Sequence, residues 1–231
     1  MNHDPQPAPD PSAHRPLFSP AATTVLRVAL VGGALTVCAV AYATFEYYHS
    51  PYWNNVGIAP DQPVLFSHRH HAGELGIDCR YCHTTVETSA FAGMPSTHTC
   101  MTCHSQIFTD TPMLGPVVTS AERGLPLHWQ RVNALPDHVY FNHSIHVAKG
   151  VGCTTCHGPI GEMALTSKGQ PLSMRWCLEC HRDPAPHLRP PEEFFAPNGT
   201  PPPDQADRGQ QLFQALQVHT DPLVSCSTCH H

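Results

Sequence analysis

Ten of the eleven cysteines occur in five copies of one short motif, Cys-x-x-Cys-His. The motif cysteines are Cys79, Cys82, Cys100, Cys103, Cys153, Cys156, Cys177, Cys180, Cys226 and Cys229. The histidines that follow them are His83, His104, His157, His181 and His230. On a short turn the two thiols lie on one side, where they can form thioethers to the vinyl groups of a haem, and the adjacent imidazole lies beneath the iron. The pattern predicts five covalently bound c-type haems.

Two other chemistries use the same cysteine spacing. Cys-x-x-Cys is half of a zinc ribbon, and the cysteines of an exported chain often form disulfides. Neither explains why a histidine occupies the next position in all five copies, whereas an axial iron ligand does. Thioether attachment takes place outside the bacterial cytoplasm, so the haem interpretation also requires that the motifs be exported.

A second pattern, Phe-x-His-x-x-His, occurs twice. It ends seven residues before the first motif and six residues before the third, and in each case another motif follows after 16 or 19 residues. The chain therefore duplicates a two-haem module. Histidines three residues apart share one side of a helical turn and can reach two neighbouring haems, although a zinc pair or a solvated surface would use the same spacing. The expected distal ligands are His68, His71, His143 and His146.

The segments around these motifs resemble the pentahaem cytochrome subunit of the alternative complex III. The resemblance is carried by QPVLFSH (62–68), GIDCRYCH (76–83), CMTCHSQ (100–106), VYFNHSIH (139–146), KGVGC (149–153) and MRWCLECHR (174–182). It is close over residues 48–190 and implies one membrane helix with a periplasmic five-haem domain. The partners that it implies are an iron–sulfur or molybdopterin-like subunit, integral membrane subunits with a quinol site, and a monohaem cytochrome c.

The fifth motif lies in a different setting. A Pro-rich linker at 184–203 precedes it, and residues 207–218 have the apolar spacing of a short amphipathic helix. This segment resembles the opening of a single-haem class I cytochrome c, whose methionine ligand comes from far downstream, whereas this sequence stops at His231. We therefore expect the sixth ligand to come from earlier in the chain or to be missing. The candidates, in no order that the sequence fixes, are Met174, Met163, Met94, Met113 and His219.

A methionine ligand would raise the potential of the fifth haem relative to haems with two histidine ligands. We therefore expect four bis-histidine haems and one that is unlike them.

An apolar run of eighteen uncharged residues occupies positions 28–45. That length suits a membrane-spanning helix. Arg15 and Arg27 precede the run and four aromatic residues follow it at 47–53, which favours a cytoplasmic N-terminus and an interfacial belt on the far side. A cleaved signal peptide is the competing interpretation, because Ala41-Tyr42-Ala43 is an acceptable cleavage site. Both interpretations export the haem motifs.

Composition sets the expected fold. Only 13% of the residues are charged and 25 are proline, so we expect mostly coil with short α-helices around stacked haems, one N-terminal transmembrane helix and little sheet. The net charge of −6 and the absence of a basic run argue against nucleic acid as a partner. The expected organisation is a cytoplasmic tail at 1–24, a transmembrane anchor at 25–47, the duplicated modules at 48–190, and a linker with the fifth-haem segment at 191–231.

Five haems on so short an exported chain must lie close together, which predicts electron transfer and no substrate chemistry by the chain itself. With the resemblance, this predicts a periplasmic electron-relay subunit of an inner-membrane quinol-oxidising respiratory complex, which passes electrons towards a periplasmic cytochrome or a terminal oxidase. Two alternatives remain open. A multihaem reductase of nitrite-like oxyanions would need an iron with an open site, and a stand-alone membrane-anchored quinol dehydrogenase would need a quinol pocket beside a single helix.

Overall fold

The computed structural model describes residues 19–230, and the chain divides into two compact units, Met1–Trp53 and Asn54–His231. Of the predicted tail at 1–24, residues 1–18 lie outside the described residues. Its last five residues belong to the first helix.

The first unit contains one long helix, α1 (Pro20–His49), and all but the last residue of the short α2 (Pro51–Asn54). The hydroxyl of Ser19 accepts the backbone N–H of Ala22 at 3.2 Å and caps α1, whose first residue is a proline. The helix is therefore longer at both ends than the predicted 25–47. At 30 residues it measures about 45 Å, and it is the one described helix long and apolar enough to cross a membrane. An N-terminal signal sequence has the same properties.

The second unit consists of short helices joined by irregular chain. Its α-helices are α3 (Cys79–Cys82), α4 (Thr97–His104), α5 (Gly115–Arg123), α6 (His143–Ala148), α7 (Cys153–His157), α8 (Met174–Arg182), α9 (Gln205–Ala215) and α10 (Cys226–Cys229). A π-helical turn spans Arg69–Glu74, and the 3₁₀ turns are Pro112–Leu114, Ile160–Glu162, Ala185–His187, Pro191–Glu193 and Asp221–Val224. Residues 19–230 form isolated β-bridges and no strand, so the prediction of short helices and coil with little sheet is confirmed.

The apolar core of this unit is small. The buried apolar residues of the described chain are Val64, Ala72, Val86, Val117, Val147, Ala185, Leu188 and Val218. Of these, Leu188 alone is a large side chain with less than 2% of its surface exposed. A unit of this length with so little apolar burial needs stabilisation beyond its own side chains, as small folds gain from covalent cross-links or bound cofactors.

The two modules hold each other by reciprocal backbone contacts. Helix α6 of the second module begins against the first module's loop, where the backbone N–H groups of His143 and Ser144 donate to the carbonyls of Ala90 and Ser89 at 3.2 and 3.1 Å. In the opposite direction, the N–H of Arg69, in the π-helical turn of the first module, donates to the carbonyl of Met163 at 3.0 Å. Each histidine-bearing turn is thus positioned by the other module.

Helix α9 attaches the C-terminal segment to the second module. It packs on the Ala185–His187 turn, and the side-chain amide of Gln205 donates to the carbonyl of Leu188 at 2.7 Å. Lys149 donates to the carbonyl of Leu216 at 2.8 Å, beyond the helix end. The backbones of Gly209 and Ala185 approach so closely that a Cβ at Gly209 would collide with the carbonyl oxygen of Ala185. The helix runs from 205 to 215, slightly earlier than the predicted 207–218.

We predict that Gly209→Ala lowers the thermal stability of the second unit. An exposed helical glycine replaced by alanine normally gains about 1 kcal/mol, but here a collision with backbone costs about 1–3 kcal/mol. The matched control is Gly115→Ala, at the first position of α5, where a Cβ would meet open space. Thermal unfolding of both variants tests the expectation, and equal midpoints for Gly209→Ala and Gly115→Ala would contradict it.

Candidate functional site

Each of the five motifs lies on a helical turn that carries its two cysteines. Helices α3, α7 and α10 consist of little besides a motif, while α4 and α8 contain theirs near the C-terminal end. Local capping sets the start of two of these turns, because the Asp78 carboxylate accepts the N–H of Arg80 at 2.8 Å and the Ser173 hydroxyl accepts that of Trp176 at 3.4 Å. The motif cysteines therefore lie on short helical turns, two of which are capped by a side chain.

The five motif histidines are held through the same ring nitrogen. Four of them point Nδ1 at a backbone carbonyl oxygen, which requires Nδ1 to be the protonated, donating nitrogen. These contacts are His83–Gly93 at 2.7 Å, His104–Ile107 at 3.3 Å, His181–Leu223 at 3.1 Å and His230–His138 at 3.3 Å. His157 differs, because its Nδ1 lies 3.0 Å from the side-chain amide nitrogen of Asn133.

The four predicted distal histidines are held in the same way. Their Nδ1 contacts are His68 to the Thr166 hydroxyl at 2.9 Å, His71 to the Ser67 carbonyl at 2.9 Å, His143 to the Ala90 carbonyl at 2.8 Å and His146 to the Asn142 carbonyl at 2.7 Å. Within residues 19–230, none of the nine rings makes a hydrogen bond through Nε2. A partner on one ring nitrogen fixes the tautomer and leaves the other nitrogen as a metal ligand.

Three distal rings lie at a distance from three motif rings that would suit one shared metal ion. The ring centroids are 6.2 Å apart for His71 and His104, 6.4 Å for His143 and His157, and 6.2 Å for His146 and His181. A first-row metal lies about 2 Å from an imidazole nitrogen, so two rings that share one have centroids about 6 Å apart. His68 and His83 are the remaining distal and motif rings, and the charge of His83 is the largest of the neighbouring charges that lower the pKa of His68.

One phenylalanine in each module orients both distal rings. Phe66 stacks on His71, with centroids 4.5 Å apart, and meets His68 edge-to-face at 4.9 Å. Phe141 repeats this with His146 at 4.6 Å and with His143 at 4.8 Å. Both contacts follow the usual preferences of aromatic pairs, so the recurring Phe of the sequence pattern positions the histidine rings.

Burial keeps the central rings neutral. It lowers the pKa of His157 and of His68 to about 4 each, and it lowers the pKa of His146. A neutral imidazole is the form that binds iron. The third motif lies deepest, and burial also raises the pKa of the Cys156 thiol to about 12 in the unmodified chain.

Electrostatic interactions between cysteines indicate which motifs are neighbours. The pairs close enough for their charges to interact are Cys82 with Cys100, Cys79 with Cys153, Cys156 with Cys177 and Cys180, and Cys177 with Cys229. In space the motifs therefore follow the order second, first, third, fourth, fifth. The third and most buried motif is in the middle, while Cys103 of the second and Cys226 of the fifth are exposed at the two ends.

The fifth motif is anchored by the segment before α6. The carbonyl of His138 accepts from Nδ1 of His230, and the carbonyl of Cys229 accepts the N–H of Tyr140 at 2.7 Å. The ring of His138 stacks beside that of His230, with centroids 5.5 Å apart. His138 therefore contacts His230 through both its carbonyl and its ring. His231 lies outside the described residues.

The five candidate sixth ligands lie in different places. Met94 adjoins the Gly93 carbonyl that holds His83, and Met113 follows the second motif in a 3₁₀ turn. The sulfur of Met163 accepts from the Ser167 hydroxyl at 3.8 Å, and its methyl lies beside Gly158 of the third-motif region. His219 lies between α9 and the turn at 221–224.

Met174 is the candidate whose helix reaches the fifth motif. It is exposed at the first position of α8, and α8 packs against the Asp221–Val224 turn that leads into α10. On the same helix, Cys177 interacts with Cys229 of the fifth motif. Met174 lies about one helical turn before Cys177, on the helix that packs beside the fifth motif.

The donor set fits a c-type haem better than zinc. Each motif offers two cysteines and one imidazole with a free Nε2, and four motifs have a second imidazole available. In residues 19–230 no group of three or more His, Cys, Asp or Glu side chains gathers as a metal cage would require, and no two cysteines form a disulfide.

Sequence reasoning missed the residues that orient the imidazoles. The duplicated Phe-x-His-x-x-His pattern contained Phe66 and Phe141, so their recurrence was a usable signal. Thr166, Leu223 and Asn133 are distant from their histidines in sequence, and no local pattern marks them.

Comparison with known proteins agrees with this donor set. The Class III cytochrome C family matches residues 49–114, which contain the first two motifs. The chain is also 31% identical over 171 residues to the multihaem cytochrome c subunit of menaquinone reductase from Nitratidesulfovibrio vulgaris. That similarity covers 74% of this chain and 68% of the relative.

We predict that His146→Ala opens one axial position at the fourth motif. The His146 ring faces His181 across 6.2 Å, so its loss should convert one low-spin haem to a high-spin, carbon monoxide-binding form. The control is His128→Ala, because His128 is exposed and makes no ring contact with a motif histidine. EPR and CO difference spectra of the two variants provide the measurement. An unchanged low-spin spectrum in His146→Ala would refute the pairing.

Proposed function

We propose that this chain, which belongs to the same family of multihaem c-type cytochromes as the menaquinone reductase subunit, is the electron-relay subunit of a membrane quinol-oxidising complex. The proposal includes five haems arranged as one row and a place in an alternative complex III. The observation that carries it is the spatial order of the motifs, in which each lies beside the next from the second to the fifth.

A bound c-type haem supplies reversible one-electron chemistry at its iron. The chain's own residues attach it through two cysteines, ligate it through Nε2 of the motif histidine and add a distal imidazole. We assign His68, His71, His143 and His146 as the distal ligands of the first, second, third and fourth motifs respectively. Phe66 and Phe141 keep these rings in place, and partial burial of the third motif keeps the His157 ring neutral, its pKa lowered to about 4.

The two ends of the row are where partners would exchange electrons with it. The second and fifth motifs each have an exposed cysteine, whereas both cysteines of the third are partly buried. We expect an iron–sulfur or molybdopterin-like subunit, integral membrane subunits with the quinol site, and a monohaem cytochrome c or oxidase as partners. The chain alone is not expected to turn over a substrate, because a second imidazole faces each of three motif rings and a fourth is assigned to His83.

Helix α1 is proposed as an uncleaved anchor that places the haem domain in the periplasm. Its length and apolar surface support this, as does Arg27, which lies in its N-terminal half. The N-terminus would then be cytoplasmic.

A second candidate reverses the direction of electron flow. The relative is named a menaquinone reductase, so the same relay could deliver electrons to a membrane quinone. The row of motifs supports electron transfer in both directions, because one-electron transfer between haems is reversible.

Purification in mild detergent tests the proposed complex and its direction. We expect the chain to migrate on native haem-stained gels with other membrane subunits, and menaquinol or ubiquinol to reduce its haems. Migration of the chain alone would contradict the complex. Oxidation of pre-reduced haems by menaquinone, without reduction by either quinol, would favour the second candidate.

We propose Met174 as the sixth ligand at the fifth motif and predict the loss of its spectroscopic signature in Met174→Leu. A thioether–iron bond gives a weak sulfur-to-iron charge-transfer band at the red edge of the oxidised spectrum, and a methionine ligand raises the haem potential. The matched control is Met113→Leu, another exposed methionine. The band should vanish only in Met174→Leu, and its persistence there would refute the assignment.

A further inference from the structure

The third motif differs from the other four in the group that holds its histidine. Backbone carbonyls accept the Nδ1 proton of His83, His104, His181 and His230. At His157 the partner is the side chain of Asn133, 24 residues earlier in the chain. A backbone carbonyl is the same whatever its side chain, whereas a carboxamide is a specific residue that substitution can change.

The orientation of the Asn133 amide follows from what His157 must do. The contact joins Asn133 Nδ2 to His157 Nδ1 at 3.0 Å, and Asn133 Oδ1 is buried without a partner. The oxygen and nitrogen of a side-chain amide are nearly indistinguishable by shape, so their assignment rests on the hydrogen bonds. Only with Oδ1 against Nδ1 does His157 donate from Nδ1 and keep the Nε2 lone pair for iron.

Asn133 is not the most stable choice at its position. Either orientation of the amide leaves one of its polar atoms buried and unpaired, which costs about 1–3 kcal/mol. A leucine has a similar shape and carries no such atom. The segment that bears Asn133 is held nearby, because Gln62 exchanges two hydrogen bonds with the backbone of Gln130 at 3.0 and 2.9 Å.

We propose that Asn133 is a positioning residue that fixes the tautomer and ring orientation of His157 and thereby sets the redox potential of the haem on Cys153 and Cys156. The acceptor on Nδ1 controls how electron-rich Nε2 is, and hence how strongly the ligand favours oxidised iron. The contact between Asn133 and His157 is partly buried, and Asn133 Oδ1 is fully shielded from solvent, so the hydrogen bond acts where the local dielectric is lower than in water. This assignment rests on the proposed haem at the third motif.

Two substitutions should move the potential in opposite directions. In Asn133→Asp the carboxylate is a stronger acceptor, so Nε2 becomes more electron-rich and the potential falls. In Asn133→Leu the acceptor is lost and the potential rises. Loss of such outer partners typically changes metal affinity or activity about 10–100-fold. We expect about a tenfold change in the redox equilibrium constant, which is about 59 mV for one electron.

The experiment is a potentiometric titration of the full-length protein, followed by visible and EPR spectra, with haem content measured in each variant. Gln210→Leu is the control, because Gln210 is exposed on α9. Opposite shifts of one haem component, with the other components unchanged, are the expected result. A merely structural role would shift both variants in the same direction or lower their haem content, and that result overturns the assignment.

Failure of this inference is separable from failure of the proposed function. Five haems per chain with no shift in either Asn133 variant overturns the assignment of Asn133 alone. Four haems in the unsubstituted protein, with the third motif unmodified, overturns the five-haem relay and this assignment with it.

Discussion

The hydrogen bond to imidazole Nδ1 is the interaction on which the rest of this structure depends. Nine histidine rings are fixed through it, and each keeps Nε2 free. Several irregular segments between helices supply the hydrogen-bond acceptor for a histidine ring. The loop at 84–93 does so for both His83 and His143. A fold built around cofactors needs such loops more than it needs regular secondary structure.

The same requirement explains the small apolar core and the exchange between modules. With Leu188 as the one large side chain fully buried among the described residues, side-chain packing alone cannot order the second unit. Each module instead holds a distal histidine of the other by a hydrogen bond. Ala90 of the first module accepts from His143, and Thr166 of the second contacts His68. Gene duplication would give two copies of a module, and this reciprocity makes them one unit.

The sequence indicates the candidate ligands but not the residues that surround them. Cys-x-x-Cys-His and Phe-x-His-x-x-His are local patterns, so their spacing indicated the candidate imidazoles. It did not indicate which distal ring lies beside which motif ring, and the ring distances supply that for three pairs. The spatial order of the motifs could not be read, because the first and third become neighbours through long-range packing of Cys79 against Cys153. The sequence did not indicate the Nδ1 acceptors either, because several of them are distant along the chain. Leu223, which accepts from His181, lies 42 residues away. Among the methionines, only the packing of α8 on the turn before α10 separates Met174 from the rest.

The central claim is that all five motifs carry haem on one chain. Intact-mass spectrometry of the protein purified from membranes tests it most directly, because each thioether-bound haem adds its full mass to the polypeptide. The account predicts a single species with five haems and no free motif thiol. A chain with four or fewer haems, or one whose motif cysteines react with thiol reagents or release zinc, would contradict it.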